Sequence, residues 1–176
     1  MMNDVMYTPA FDPFNGIYRM LLILQHFDMD EEVEVDRLRI FDFYLLFPYK
    51  TAKITMRSEE KEMKDLRNKF IRSKETPYNY NMNDRKLFER LRPYHMIALS
   101  HLASYGLIDP QRLLQQKVKI LRPDLMQQVI SQLDPMSHDE GNTLSWLSFS
   151  FRTMPLHGPH GLKSRTHLLE SKYDGD

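Results

Sequence analysis

The 176-residue chain contains no cysteine. Disulfides, thiolate metal sites and cysteine nucleophiles are therefore excluded, and a cytoplasmic, reducing setting is the expectation. Charge of a preferred sign is missing too, because 24 Lys and Arg balance 24 Asp and Glu. A protein whose main task is gripping phosphates carries a basic surplus. Any contact with nucleic acid is therefore expected through a local patch or a companion subunit. No apolar run approaches the length of a membrane span, and the opening MMNDVMYTPAFDPF lacks the basic and apolar regions of a secretory signal. Also absent are G-x-S-x-G, a Gly-rich phosphate loop and H-E-x-x-H. No enzymatic activity and no cofactor is expected.

What is present is a helical pattern. The length fits one domain able to bury its own core, and twelve Met residues suit adaptable packing, first of all inside that core. Residues 1–13 read as an irregular arm ending at Pro13. Ile17, Leu21 and Leu24 then recur at helical spacing. An acidic, solvated connector, DMDEEVEVD, leads into VDRLRIFDFYLLFPYK (Val35–Lys50), the densest run of bulky apolar side chains. Leu38, Phe41 and Leu45 form one helical stripe there. Ile40, Phe43, Tyr44 and Phe47 form a second, which leaves a polar sliver around Arg39 and Asp42. A helix apolar nearly all round is covered, by its own domain or by another chain, and Pro48 ends this one.

Residues 57–73 read as a solvated helix with a narrow dry edge at Met63, Leu66 and Phe70. Its Glu60–Lys64 and Asp65–Lys69 pairs are in the favourable order. A further helix starts near Asp84, bends or restarts at Pro93, and ends at Gly106, with Leu107 folding back on the last turn. KVKIL (Lys117–Leu121) alternates like a short strand. Pro123 opens another helix, with Leu125, Val129, Ile130 and Leu133 inside. In NTLSWLSFSFRTMP, Leu144, Leu147 and Phe151 fit a helix while Trp146, Phe149 and Phe151 partly fit a strand; Asp139 and Glu140 suit a helix N-terminus and tip the reading to helix. The residues from Pro155 on, with Gly158, Pro159 and Gly161, are expected to be extended. The fold class is mainly α with a short strand pair, an α+β domain with a winged-helix outline. Its divisions are an arm at 1–13, a body at 14–153 and a C-terminal segment at 154–176.

Candidate ligand sites fail on their chemistry. The alternating acids from Asp28 to Asp36 lack the glycine and the glutamate of a calcium loop, because Val33 and Arg39 occupy those places. His157, His160 and His167 sit around a Gly/Pro loop with no cysteine to support a zinc pattern. No metal is expected. The carboxylate pairs Glu59/Glu60 and Asp139/Glu140 need only solvation or a helix N-terminus to account for them. Basic residues crowd 57–74, but acids accompany them. DRKLFERLRP leaves Arg85, Lys86, Arg90 and Arg92 as a candidate DNA-backbone set, without the interleaved aromatics of a single-strand platform.

Four stretches, taken in order, resemble the small middle components of ABC three-component defence systems, including the Lamassu type. They are Phe14 and Asn15 with YRMLLIL (Tyr18–Leu24), RLRIFDFYLLFP (Arg37–Pro48), RPYHMIALSHLASYGLID (Arg92–Asp109) and MPLHGPHGLKSRTHLLESKYD (Met154–Asp174). The resemblance spans nearly the whole chain. It implies a non-enzymatic subunit of winged-helix-like fold, set between an SMC-like ATPase and an effector, often a nuclease, in bacterial defence against phages or plasmids. It carries over no catalytic residue. One departure matters: a recognition helix that reads DNA presents polar and basic side chains, whereas Val35–Phe47 presents phenylalanines. DNA contact is therefore expected mainly through the complex. The alternative is a stand-alone winged-helix DNA-binding regulator.

On this reading Leu38, Phe41 and Leu45 belong to the core. Ile40, Phe43, Tyr44 and Phe47, with Arg39 at the rim, face a partner subunit or a second copy. The alternative puts both stripes inside, between the first helix and the one near 94–105. The C-terminal segment, through Leu156, Leu162, Arg165, Leu168, Leu169 and Tyr173, is expected to dock on a neighbouring chain.

Overall fold

The computed structural model describes residues 9–71, 73–74 and 82–169. A 3-10 turn (Pro9–Phe11) leads into α1 (Pro13–Leu24), followed by β1 (Glu32–Glu34), α2 (Val35–Leu46) and a second 3-10 turn (Pro48–Lys53). Then come α3 (Lys61–Phe70), α4 (Asp84–Ser104), α5 (Pro110–Leu114), β2 (Lys117–Lys119), α6 (Pro123–Ser131), α7 (His138–Phe151) and α8 (Leu162–Thr166). The protein is mainly helical with one short antiparallel strand pair, in line with the pattern of its sequence.

The helix boundaries follow local chemistry. Asp12 caps α1 by accepting from the Phe14 N–H, and Pro13 occupies the first position, where its missing N–H costs nothing. Asn83 caps α4 through the Lys86 N–H. Ser137 and Glu140 form a reciprocal capping box on α7. At its other end α4 closes with both bonds of a Schellman motif: Gly106 N–H donates to Ala103 O, and Leu107 N–H to Leu102 O. Gly106 sits at φ +74°, where a side chain is strained. The helix continues through Pro93 rather than restarting there.

The strand pair explains the alternating acids. EVE lies opposite KVK in register Glu32↔Lys119, Val33↔Val118 and Glu34↔Lys117. Both valines are buried, and opposite charges face each other at the flanking positions. The connector read as solvated therefore contains a strand. An isolated bridge between Ile108 and Ile120 extends the ribbon. The paired strands lie at opposite ends of the span holding α2 to α5, so the ribbon is a clasp rather than the hairpin of a wing.

Helix α2 forms the middle of the core, packed against α1, α4 and α7. Phe27 meets Phe41, with ring centroids 5.4 Å apart, and Phe43 meets Phe47 at 5.3 Å and Phe88 at 5.9 Å. Helix α3 rests on α7, where the Trp146 indole N–H donates to Met63 O at 2.8 Å. In α6 the fully buried residue is Met126, while Leu125, Val129 and Ile130 are only half-buried. Among the described residues, no helix is long and apolar enough to cross a membrane.

Candidate interaction sites

The second stripe of α2 lies inside the chain. Ile40 and Phe43 are fully buried, and Tyr44 and Phe47 nearly so. The outward, partner-facing stripe read from the sequence is therefore corrected. Helices α1, α4 and α7 pack on α2, with Phe88 of α4 against Phe43. Burial and nearby Asp84 push the Tyr44 phenol well above its ordinary range.

The polar sliver of α2 is buried as well. Arg39 and Asp42 are both 0 % exposed. The Asp42 carboxylate accepts from Arg19 Nε at 2.6 Å and sits 2.8 Å from His95 Nε2. Arg39 Nε donates to His95 Nδ1 at 3.3 Å, which leaves the proton of the ring on Nε2, facing Asp42. Arg39 also donates to Asp36 and lies 4.2 Å from the centre of the Phe88 ring. Lys163 completes the chain on the other oxygen of Asp36, at 3.0 Å. Burial alone would raise the Asp42 carboxyl; the Arg19 charge and the His95 hydrogen bond outweigh it and hold the group at about 2. Asp36 is likewise lowered: burial opposes ionisation, but Lys163 and Arg39 prevail. This row of α2 ties together α1, α4 and the C-terminal segment.

That segment is compact over its described part. Leu156, Leu162 and Leu168 are buried against the body, Leu169 is half-buried, and residues 162–166 are helical rather than extended. Tyr173 lies outside the described residues. Arg165 is buried and donates twice to Glu60, at 2.6 and 2.7 Å, and once to His160 O. Arg165 O accepts from Thr55 N–H, and Arg37 donates to Phe151 O and Met154 O. Gly161 is required by close approach, since a Cβ there would meet His157 O at 2.3 Å. Leu156, Leu162, Leu168 and Arg165, expected to dock on a neighbouring chain, are thus covered within this one. Glu60, read as helix surface, is the anchor of this clasp, and Arg165 lowers its carboxyl.

The basic set divides. Arg85 is half-buried and donates to Leu169 O at 3.4 Å. Lys86, Arg90 and Arg92 are exposed on α4, with the Arg90 guanidinium 5.5 Å from the centre of the Phe11 ring. His157, His160 and His167 are exposed. Among the described residues, no group of three or more His, Asp or Glu is placed to hold a metal ion.

Two apolar hollows stand open on the surface, the first partly on the dry edge of α3 read from the sequence. Between α3 and α7 a hollow of about 260 Å³ is lined by Leu66, Phe70, Trp146 and Phe149. Between α4 and α5 a hollow of about 470 Å³ is lined by Met96, Ser100, Ala103, Leu113 and Leu114. The signal for the second was the row Met96–Ser100–Ala103 at helical spacing on α4, which stands beside the buried row His95, Leu99 and Leu102.

The fold is thus that of a small helical protein with a closed, ion-paired interior and apolar faces left open on its outside. Over residues 5–174 the chain matches the family model of the ABC-three component (ABC-3C) system middle component 5. It belongs to that family. Comparison with curated proteins and with solved structures finds no significant match.

Proposed function

We propose that the chain is a non-enzymatic adaptor subunit of a bacterial anti-phage or anti-plasmid complex of the Lamassu type. It would link an SMC-like, DNA-sensing ATPase to an effector nuclease and help control the effector's activation. The observation that carries this reading is membership of a middle-component family, which implies companion subunits. The open apolar faces at α3/α7 and α4/α5 support it, because such surfaces on a folded chain suit contact with other proteins. The adaptor uses no metal, cofactor or small-molecule substrate of its own, and its contact with DNA is mainly through the complex.

Co-expression with the other two components of the same system tests this reading. An adaptor is recovered in a complex with at least one of them, and the purified chain alone turns over neither ATP nor nucleic acid. Robust turnover by the chain alone, abolished by one carboxylate or histidine change, would overturn the non-enzymatic reading. Failure to associate with either component would overturn the adaptor.

One observation favours the second reading, a stand-alone DNA-binding regulator: Lys86 and Arg92 point outward on α4 with no ion pair among the described residues. A regulator binds duplex DNA alone, with affinity falling steeply as salt rises. An adaptor shows weak binding of that kind.

A further inference from the structure

Of the seven large hydrophobic residues left exposed among those described, three stand on the outer side of α4 and α5: Ile97 at 41 %, Tyr105 at 60 % and Leu114 at 78 %. Ile97 and Leu114 border a trough. The hollow between α4 and α5 shares Met96, Ser100 and Ser104 with a second, of about 380 Å³, which opens on Ile97 and His101. From Met96 to Ser104 the trough runs roughly 12 Å along α4. That length suits two to three turns of another helix laid in a groove.

The sequence that builds it is mostly basic. From Arg90 to Arg122 the chain holds a single acid, Asp109, whose carboxylate accepts from the N–H groups of Gln111 and Arg112 at the start of α5. On the cationic side Arg112 is paired with Glu32, while Lys117 and Lys119 face the glutamates of β1. Of the rest, Arg122 follows β2, and Arg90 and Arg92, with exposed Glu89 beside them, lie at the head of the trough: Arg92 is one turn before Met96 and Arg90 two turns before Ile97.

We infer that this trough receives an amphipathic helix of a companion subunit, apolar toward Met96, Ile97 and Leu114 and acidic where it passes Arg90 and Arg92. The inference rests on the adaptor reading and adds the site and the chemistry of the partner. A second copy of this chain is the poorer occupant, because two-fold pairing through this patch sets surfaces of like charge together. Nucleic acid is poorer too, since phosphates gain nothing from Leu114 or Ile97.

The test measures binding of the full chain to the other two components of its system, each purified, for wild type, Leu114→Asp, Leu114→Ala and Arg92→Glu. Circular dichroism is recorded for each variant. Leu114→Asp is expected to weaken binding about a hundredfold, as hot-spot residues do, and Leu114→Ala about tenfold. Arg92→Glu is expected to weaken it severalfold and to flatten its salt dependence. All three keep the wild-type helical signal, because both side chains stand in solvent. Wild-type affinity in Leu114→Asp and Arg92→Glu, while wild type itself binds, would overturn this inference and leave the adaptor reading standing. No binding by wild type would overturn both. A wild-type dimer broken by Leu114→Asp would replace the partner helix with a second copy. Duplex binding by the chain alone that is lost in both Leu114→Asp and Arg92→Glu would replace it with DNA.

Discussion

Helices α2 and α4 are both rich in large apolar side chains, and they use them in opposite ways. Helix α2 is buried over most of its length, so Arg39 and Asp42 turn inward to form ion pairs, with half-buried Asp36 at the edge. Helix α4 buries His95, Leu99 and Leu102 on one side and leaves Ile97 and Tyr105 open on the other. Apolar density therefore did not locate the exposed face; the cover each element finds did, with ten of the twelve residues of α2 buried against seven of the twenty-one in α4. The greasiest segment is the least available to a partner, and a plainer helix carries the open surface.

Replacing Phe43 and Phe47 together by Ser breaks this comparison most severely. Each loses a buried ring, at about 3–5 kcal/mol apiece, which is comparable to the whole stability of a domain. The expected result is loss of the helical signal in circular dichroism. A folded protein that has merely lost its partner would return the second stripe to the interface.

Asp42→Ala should follow, at about 3–5 kcal/mol, because it leaves Arg19 buried without its carboxylate. Urea unfolding of the variant measures this. Arg165→Ala is expected to cost about 2 kcal/mol by leaving Glu60, Thr55 O and His160 O without their donor. Limited proteolysis of that variant should cut residues 155–169 first, with α2 still protected.

Acid provides a smoother version of the same test. Asp42 ionises at about 2 when folded, below its ordinary 3.8, so the ionised form favours the native state. Its contribution, about 2 kcal/mol, is complete above roughly pH 4 and lost as the pH falls toward 2. Asp42→Asn should flatten stability across that window. The smallest effect is expected from reversing Lys61 and Lys64 to Glu. Both are exposed on α3, and unfolding should shift by under about 1 kcal/mol.

Much of this architecture was legible in the residues. Helical spacing marked α1 and α2, Asp139 and Glu140 marked the start of α7, Gly106 marked the end of α4, and the alternation of KVKIL marked β2. Two elements were too short to carry a period: β1, whose Glu-Val-Glu passed for a solvated connector, and α5, announced only by Asp109 before Pro110. Burial of Asp42 was out of reach for another reason. Its partners Arg19 and His95 lie 23 and 53 residues away, and local periodicity cannot see them. The leucines of the C-terminal segment passed for unsupported because the cover they find, including the Glu60 anchor of Arg165, comes from elements far upstream.

The central claim is that α2 is interior while the outer side of α4 and α5 meets a companion subunit. Hydrogen exchange of the chain alone and bound to the component it co-purifies with tests both halves at once. The account predicts new protection confined to residues 96–116, with α2 amides slow in both states. New protection across α2, with residues 96–116 unchanged, would contradict it.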